Sequence, residues 1–424
     1  YCDVDHYIDY MLANIYVGMG DWPHHNWYAA RERGPDSEGY KFFCWDSEGA
    51  FRNNNVTGVG NGIAQAYGNL RANAEFNLRF ADHAQCHMFN NGALVPSNSM
   101  DRIQVLADSF EFGIVTENSR WNHISLSAWR SRIDDKKNNY LAGRTSTVLG
   151  YLRGAGLYPD VDAPVFNQHG GMVPNGFGLT MMSANAPNVY YTLDGSDPRE
   201  FDTSNPLGTL YAAPVPLTYN VLVHARARDL TDAWSAMEKA LFVVPGTPEL
   251  RVTEVMYNPY GVSAAESNLG YSATDFEFIE FQNTGSNIIG LAGMRLSGGI
   301  DFDFTEGAVQ TLAPGELVVI VENLAAFTNR YPNWMSMNIA GEYGENLSNN
   351  GEEVNLKNHA DQNIVSFTYN DARGWPFIAD GAGHSLVPLD FAGQTNGFLD
   401  DGGNWRASTY RGGSPGVADP ALFL

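Results

Sequence analysis

The residues able to do chemistry gather in two short stretches near the start of the chain. "DWPHHNWY" (21–28) holds Asp21, His24, His25 and Asn26 among Trp22, Pro23 and Trp27. "FFCWDSEGAF" (42–51) sets Asp46 at the end of an apolar run, with Glu48 two residues on. An aspartate can take a proton from a hydroxyl, while an amide oxygen and a second carboxylate hold a metal ion against phosphate oxygens. Asp21 is the candidate base in that chemistry, and Asn26, Asp46 and Glu48 are the candidate metal ligands. Zinc bound by Asp21, His24 and His25 is a competing chemistry. Against it, adjacent side chains on a strand or turn point apart. A third reading has no chemistry at all: Trp22 and Trp27 are buried, and the polar residues merely hold a turn.

The surrounding pattern says what must position these groups. In "DVDHYIDYMLANIY" the residues Val4, Tyr7, Ile8, Met11, Leu12 and Ile15 recur at helical spacing, with Asp3 or Asp5 as cap. "NWYAARERGPDSEGYKFFCWDSE" reads as two short strands around a Gly/Pro turn. Helices follow through "NAEFNLRFADHAQCHMF", which stops near Asn91–Gly92, and "NSMDRIQVLADSFEFGIVTENSRW". The latter has Ser97 or Asn98 as cap and Ile103, Leu106 and Phe110 on one face. Two more run to Gly156 and Pro159. The candidate loop therefore leaves a helix and enters a hairpin, and Asp21 and Asn26 stand at the D-x4-N spacing of a protein-kinase catalytic loop.

"YMLANIYVGMGDWPHHNWYAARE", "KFFCWDSEGAF", "ENSRWN" and "LRGAGLYP" together resemble the CotH family of spore-coat-type, kinase-like proteins. The resemblance covers residues 1–158. It implies the carboxyl-terminal lobe of an atypical protein kinase acting with ATP and Mg²⁺ on serine of secreted or surface proteins. It carries Asp21 over as base and Asn26 and Asp46 as metal ligands. His25 stands where the family often has asparagine. No Gly-rich strand pair or phosphate-binding lysine precedes Asp21 within this sequence, so residues 1–424 alone are not expected to be a competent kinase. The chain opens at Tyr1 inside a helical pattern, which reads as a cut with room for a secretion signal upstream.

Beyond the linker "YPDVDAPVF" the texture becomes all-β. "VYYTLDGSDPR", "VLVHARARD" and "ALFVV" resemble the chitobiase/hexosaminidase C-terminal-type β-sandwich over 163–245. "LRVTEVMYNP", "FEFIEFQNTG", "ELVVIVEN" and "EEVNLKN" resemble a lamin-tail domain, an immunoglobulin-like sandwich, over 250–390. In "FEFIEF", apolar residues alternate imperfectly with Glu277 and Glu280. Residues 391–424 read as an extended tail without regular structure. Calcium is weighed at Asp194 and Asp197, and at Asp301, Asp303 and the "DDGGN" of 400–404. Turn stabilisation and a solvated acidic face are the favoured readings there. The expected fold class is thus multidomain: an α-rich α+β kinase-like C-lobe followed by two all-β immunoglobulin-like sandwiches.

Composition narrows the partners. Asp and Glu number 48 against 25 Lys and Arg, a net charge of −23, which repels nucleic acid and anionic membranes. No apolar run is long enough to span a bilayer. Cys2, Cys44 and Cys86 form no C-x-x-C pair, and their odd number allows one disulfide with one free thiol. The expectation is an extracellular or cell-surface bacterial protein whose partners are other extracellular proteins or further copies of itself. Kinase and scaffold remain alternative functions.

Overall fold

The computed structural model describes residues 2–33, 37, 39–246, 248–390, 394 and 397–420. Helix α1 (Val4–Val17) starts at Asp3, whose side chain accepts the His6 N–H, and it ends on Gly18 in the left-handed conformation. Its apolar stripe, Tyr7, Ile8, Met11, Leu12 and Ile15, is buried as the spacing predicts. Strands β1 (Trp27–Ala30) and β2 (Lys41–Cys44) pair antiparallel with Trp27 opposite Cys44. The predicted Gly34–Pro35 turn between them lies outside the described residues.

The rest of the first lobe is helical: α2 (Ala64–Leu70), α3 (Ala74–Met88), α4 (Pro96–Trp121), α5 (Leu126–Asp135) and α6 (Ala142–Gly154). A π-turn over Lys136–Leu141 joins α5 to α6. Helix α3 is capped by Asn73, which accepts from Phe76 N–H. Helix α4 departs from expectation at its start and ends at Trp121 as read. It starts at Pro96, where the missing N–H costs nothing, so Ser97 and Asn98 lie inside it rather than capping it. Asn98 instead donates back to the carbonyl of Gly92 at 2.9 Å. At 26 residues, or roughly 39 Å, α4 also outruns the lobe. Ile103 packs on the core, whereas Leu106 and Phe110, expected on the same buried face, are exposed.

The second unit carries a five-stranded sheet in the order Gly171–Met172, Glu238–Val243, Val221–Arg228, Asn188–Thr192 and Thr209–Leu210. Val189, Val223, Ala225 and Phe242 lie in its core. The third unit is a sandwich of a six-stranded and a four-stranded sheet, with Leu250, Val252, Ile279, Phe281, Leu296, Val354 and Leu356 sharing the core between them. The expected unstructured tail instead contributes Trp405–Ala407 as an edge strand beside Leu386–Pro388.

The glutamates of "FEFIEF" are covered from two sides, Glu277 by Leu347, whose N–H it accepts at 2.8 Å, and Glu280 by that tail. Glu277 and Glu280 are buried, because the strand Phe278–Asn283 is covered on both faces. Glu280 accepts from Thr253 Oγ1 at 2.7 Å and Gly416 N–H at 2.6 Å. Its neighbour Glu254 accepts from Ser385 Oγ and from Ser414 N–H at 2.9 Å. Burial and the paired negative charge push both carboxyls upward, so they hold protons that a solvated glutamate would lose.

Among the described residues no helix is long and apolar enough to cross a membrane. All three cysteines are free and exposed, so no disulfide joins any two of them.

Candidate functional site

The loop 18–26 is built by the elements around it. Arg144 of α6, buried at 2% exposure, donates from Nε to the Tyr16 carbonyl at 2.5 Å and from Nη2 to that of Ile15 at 3.0 Å. A guanidinium on the open carbonyls at a helix C-terminus satisfies them and opposes the helix dipole. The end of α1, and hence the start of the loop, is fixed in place. Trp22 is then sunk into the core edge-on to Tyr10, and the Pro23 carbonyl accepts from Ile63 N–H at 2.8 Å. Gly62 has φ +54, and a Cβ there would lie 1.8 Å from the Pro23 oxygen, so a side chain at that position would drive the loop away.

The four predicted residues fall in one region with different surroundings. Asp21 is half-buried, and its Oδ1 has no hydrogen-bond partner among the described residues. Gly49 approaches it so closely that a Cβ there would stand 2.9 Å from Oδ1. Asn26 has φ +66, and its carbonyl accepts from Trp45 N–H at 2.9 Å, which ties it to the mouth of the hairpin. Asp46, the next residue, has φ +48 and makes no side-chain cap to the 3₁₀ turn Ser47–Gly49 that carries Glu48. Asp46 and Glu48 are both exposed. Phe51, closing the same segment, has φ +59. A bulky residue in the left-handed region is a costly conformation, and such residues concentrate at functional sites.

The competing readings of this loop fare unevenly. His24 and His25 do not point apart: their rings meet at 4.0 Å between centroids, at 75°, and both are exposed. The tight turn places both rings on one side, where a strand would separate them. Trp22 is buried and Trp27 half-buried, so only the first tryptophan anchors the loop as the turn reading supposes. Asp21, His24 and His25 do not form a three-ligand cluster among the described residues, and neither do Asp21, Asp46 and Glu48.

Of the carboxylates weighed for calcium, Asp194, Asp197, Asp303, Asp400 and Asp401 hold local partners through their side chains, and Asp301 bonds to Gly344 through its backbone. Asp194 accepts from the backbone and hydroxyl of Ser196, and Asp197 holds Arg226. Asp303 accepts from Thr305 N–H, Asp400 from Thr368 N–H, and Asp401 from Gly403 N–H.

One cluster went unread in the sequence. Asp5 and Asp9 of α1 face His83 and His87 of α3. The signal was present as D-x-x-x-D at 5–9 and H-x-x-x-H at 83–87, each a one-turn spacing on a helix. Neither half is informative until the two helices are known to lie side by side.

Helix α3 also joins the lobe to the second unit. Arg226 is buried at 2% exposure, with Nη1 and Nη2 on Asp82 of α3 at 2.8 and 2.6 Å and Nε on Asp197 at 2.7 Å. Arg199 grips Glu75 of α3, and Glu238 accepts from Gln85 and Asn90.

Comparison with known proteins bears on the β units. The family model for the Lamin Tail Domain matches residues 244–371, and one described as Fn3 associated matches residues 179–237, inside the segment expected to be of chitobiase type. The comparison with curated proteins found no match. Among solved structures, a DUF4876 family protein from Bacteroides thetaiotaomicron VPI-5482 is similar at 12% identity, over 59% of this chain and 95% of that one, with a TM-score of 0.25. A superposition at that level carries no argument. The segment matched by the first family model, 244–371, supplies eight of the ten strands of the sandwich, a lamin tail domain of immunoglobulin-like β-sandwich form, and Leu386–Pro388 and Trp405–Ala407 add the other two from beyond it.

Proposed function

We propose that residues 1–158 are the carboxyl-terminal lobe of a CotH-type kinase-like domain in an extracellular or cell-surface protein. In this reading Asp21 is the base that takes the proton of a protein serine, and Asn26 and Asp46, helped by Glu48, hold the Mg²⁺ of ATP. The observation that carries it is the hydrogen bond from Trp45 N–H to the Asn26 carbonyl, with left-handed backbone at both Asn26 and Asp46. That backbone bond holds Asn26 and Trp45, the residue before Asp46, together at the mouth of the hairpin, which supports a shared role for Asn26 and Asp46. The buried, unpartnered Oδ1 of Asp21 fits a group kept ready to accept a proton. Mg²⁺ uses one or two carboxylates with phosphate oxygens and water, so it does not require a three-carboxylate cluster. In this reading residues 1–158 contribute the base and the metal ligands. The sandwich of 163–245, read as chitobiase/hexosaminidase C-terminal-type from its "YTLDGSDP" string, is an accessory module in the same reading.

The test is incubation of the full gene product with radiolabelled ATP and Mg²⁺ beside its Asp46→Ala and Asp21→Asn variants. Labelling that both substitutions abolish supports the reading. No labelling, or labelling unchanged by either substitution, overturns it.

A second reading, a non-catalytic scaffold assembled with other extracellular proteins or with itself, is favoured by a different observation. Helix α4 leaves Phe110 and Trp121 exposed on one side and Phe112 and Val115 exposed on nearly the opposite side, apolar side chains on two faces that a partner could cover. Analytical ultracentrifugation of residues 1–424 across a concentration series distinguishes it. Association that Phe112→Ser weakens supports the scaffold, and a strict monomer counts against self-assembly.

A further inference from the structure

We propose that Asp9, His83 and His87 form a binding site for one divalent ion of the zinc class, with Asp5 and Arg79 as its outer support. The ligand atoms come from two neighbouring helices, and all lie within 4.8 Å of one another. His83 and His87 stand one turn apart on α3, the spacing at which two imidazoles share a face and can close on one metal ion. His83 Nδ1 lies 2.7 Å from Asp9 Oδ1, and His87 Nε2 lies 3.1 Å from the same oxygen. Two donor atoms bound to a tetrahedral zinc at ~2.0–2.1 Å stand about 3.3 Å apart. The two imidazole nitrogens thus stand close to that spacing from the Asp9 oxygen, and they lie within 4.8 Å of each other, so small side-chain adjustments bring all three atoms onto one ion.

The surroundings have the form of a metal centre's outer layer. The second nitrogen of His83, Nε2, lies 2.9 Å from Asp5 Oδ1, and Arg79 donates to both oxygens of Asp5. A ligating histidine generally donates its free N–H to a carboxylate, which fixes the ring and its tautomer. Here Asp5 plays that part, and Arg79 holds Asp5. Without metal, Asp9 and Asp5 favour the protonated His83 despite its burial. On binding, His83 would present Nδ1 to the ion and keep Nε2–H on Asp5.

The donor set selects the ion. Two imidazoles and one carboxylate suit zinc and its neighbours, whereas Mg²⁺ and Ca²⁺ prefer oxygen throughout. The side chains of His83, His87 and Asp9 are 19%, 32% and 44% exposed, so the ion enters from solvent and keeps a position for water. Ala84 follows His83, so the motif lacks the glutamate of the H-E-x-x-H metalloproteases. The ion acts as a staple between α1 and α3. This inference is independent of the phosphoryl-transfer reading.

Residues 1–424, stripped with a chelator and incubated with zinc chloride, are desalted and assayed for retained zinc by mass spectrometry. Co²⁺ absorption reports the coordination. One equivalent of zinc and a tetrahedral Co²⁺ spectrum are expected. His87→Gln, at a half-exposed position, should abolish retention with an unchanged circular dichroism spectrum. Asp5→Asn should weaken affinity 10–100-fold. The double substitution His24→Gln/His25→Gln should leave retention intact. No retained zinc, or retention that survives His87→Gln, overturns the proposal and leaves an imidazolium–carboxylate latch.

Discussion

Arg226, from the central strand of the second unit, places both terminal nitrogens on the carboxylate of Asp82 in the helical lobe, at 2.8 and 2.6 Å. The guanidinium is almost wholly buried and also holds Asp197. Removing one partner of such a group strands the others. Arg226→Met leaves Asp82 and Asp197 without a cation and should destabilise by about 3–5 kcal/mol. Adding Asp82→Asn should recover part of the loss. Denaturant unfolding of the single and double variants checks this, and equal stability of Arg226→Met and wild type would refute it.

Arg144 does for the candidate loop what a C-cap does for a free helix. Arg144→Met removes the charged donor from the Ile15 and Tyr16 carbonyls, which keep only Gly18 N–H and Tyr140 Oη among the described residues, at about 1.5–3 kcal/mol for a hydrogen bond from a charged group. The expected outcome is faster amide exchange and proteolytic cutting across 15–26 before the β units respond. Arg144→Lys should not rescue it, because a single ammonium lacks the planar fork that spans both carbonyls.

The lamin tail sandwich should lose stability as pH rises. Burial pushes the Glu277 carboxyl up to about 9, against the hydrogen bond from Leu347 N–H. The folded state therefore holds a proton that the unfolded chain releases near its ordinary value. That contribution is complete below about pH 4.5 and is lost as pH climbs through the folded value near 9. Glu254 and Glu280 act in the same direction. Glu277→Gln removes the charge at constant shape. It should flatten the decline between pH 5 and 9 and stabilise the sandwich at pH 8 by at least about 1.4 kcal/mol, the worth of one pKa unit. Melting temperatures across that range check the prediction, and a parallel pH profile for the variant would contradict it.

Gly49→Ala probes the loop without touching a proposed ligand. Its methyl group would stand 2.9 Å from Asp21 Oδ1, closer than carbon and oxygen pack, and would displace the carboxylate. If Asp21 is the base, labelling by the full gene product should fall at least about tenfold, because a misplacement of ~1 Å can cost a hundredfold. Circular dichroism should be unchanged. Undiminished labelling would detach Asp21 from the chemistry.

Local sequence determined a good deal of this. The 3.6-residue stripe of α1 and its Asp3 cap, the paired strands around 27–44, and the successive β units are all written in short-range pattern and turn chemistry. The strings "FEFIEF" and "ELVVIV" marked the lamin tail segment that the family comparison matches. Periodicity can do this because it reports which side of an element is apolar.

It cannot report where an element ends relative to its neighbours. So the spacing that puts Ile103, Leu106 and Phe110 on one face does not tell that only Ile103 meets the core, and Glu277 and Glu280 give no sign of their burial. The tail's edge strand depended on a partner at Leu386–Pro388, and the three thiols are left apart by the folded chain. The Asp9–His83–His87 cluster is the clearest case. Its halves lie 74 residues apart between Asp9 and His83, and each is an ordinary helical spacing on its own. Only the packing of α1 against α3 decides that they meet, because a shared site is a property of two surfaces and the sequence describes each surface separately.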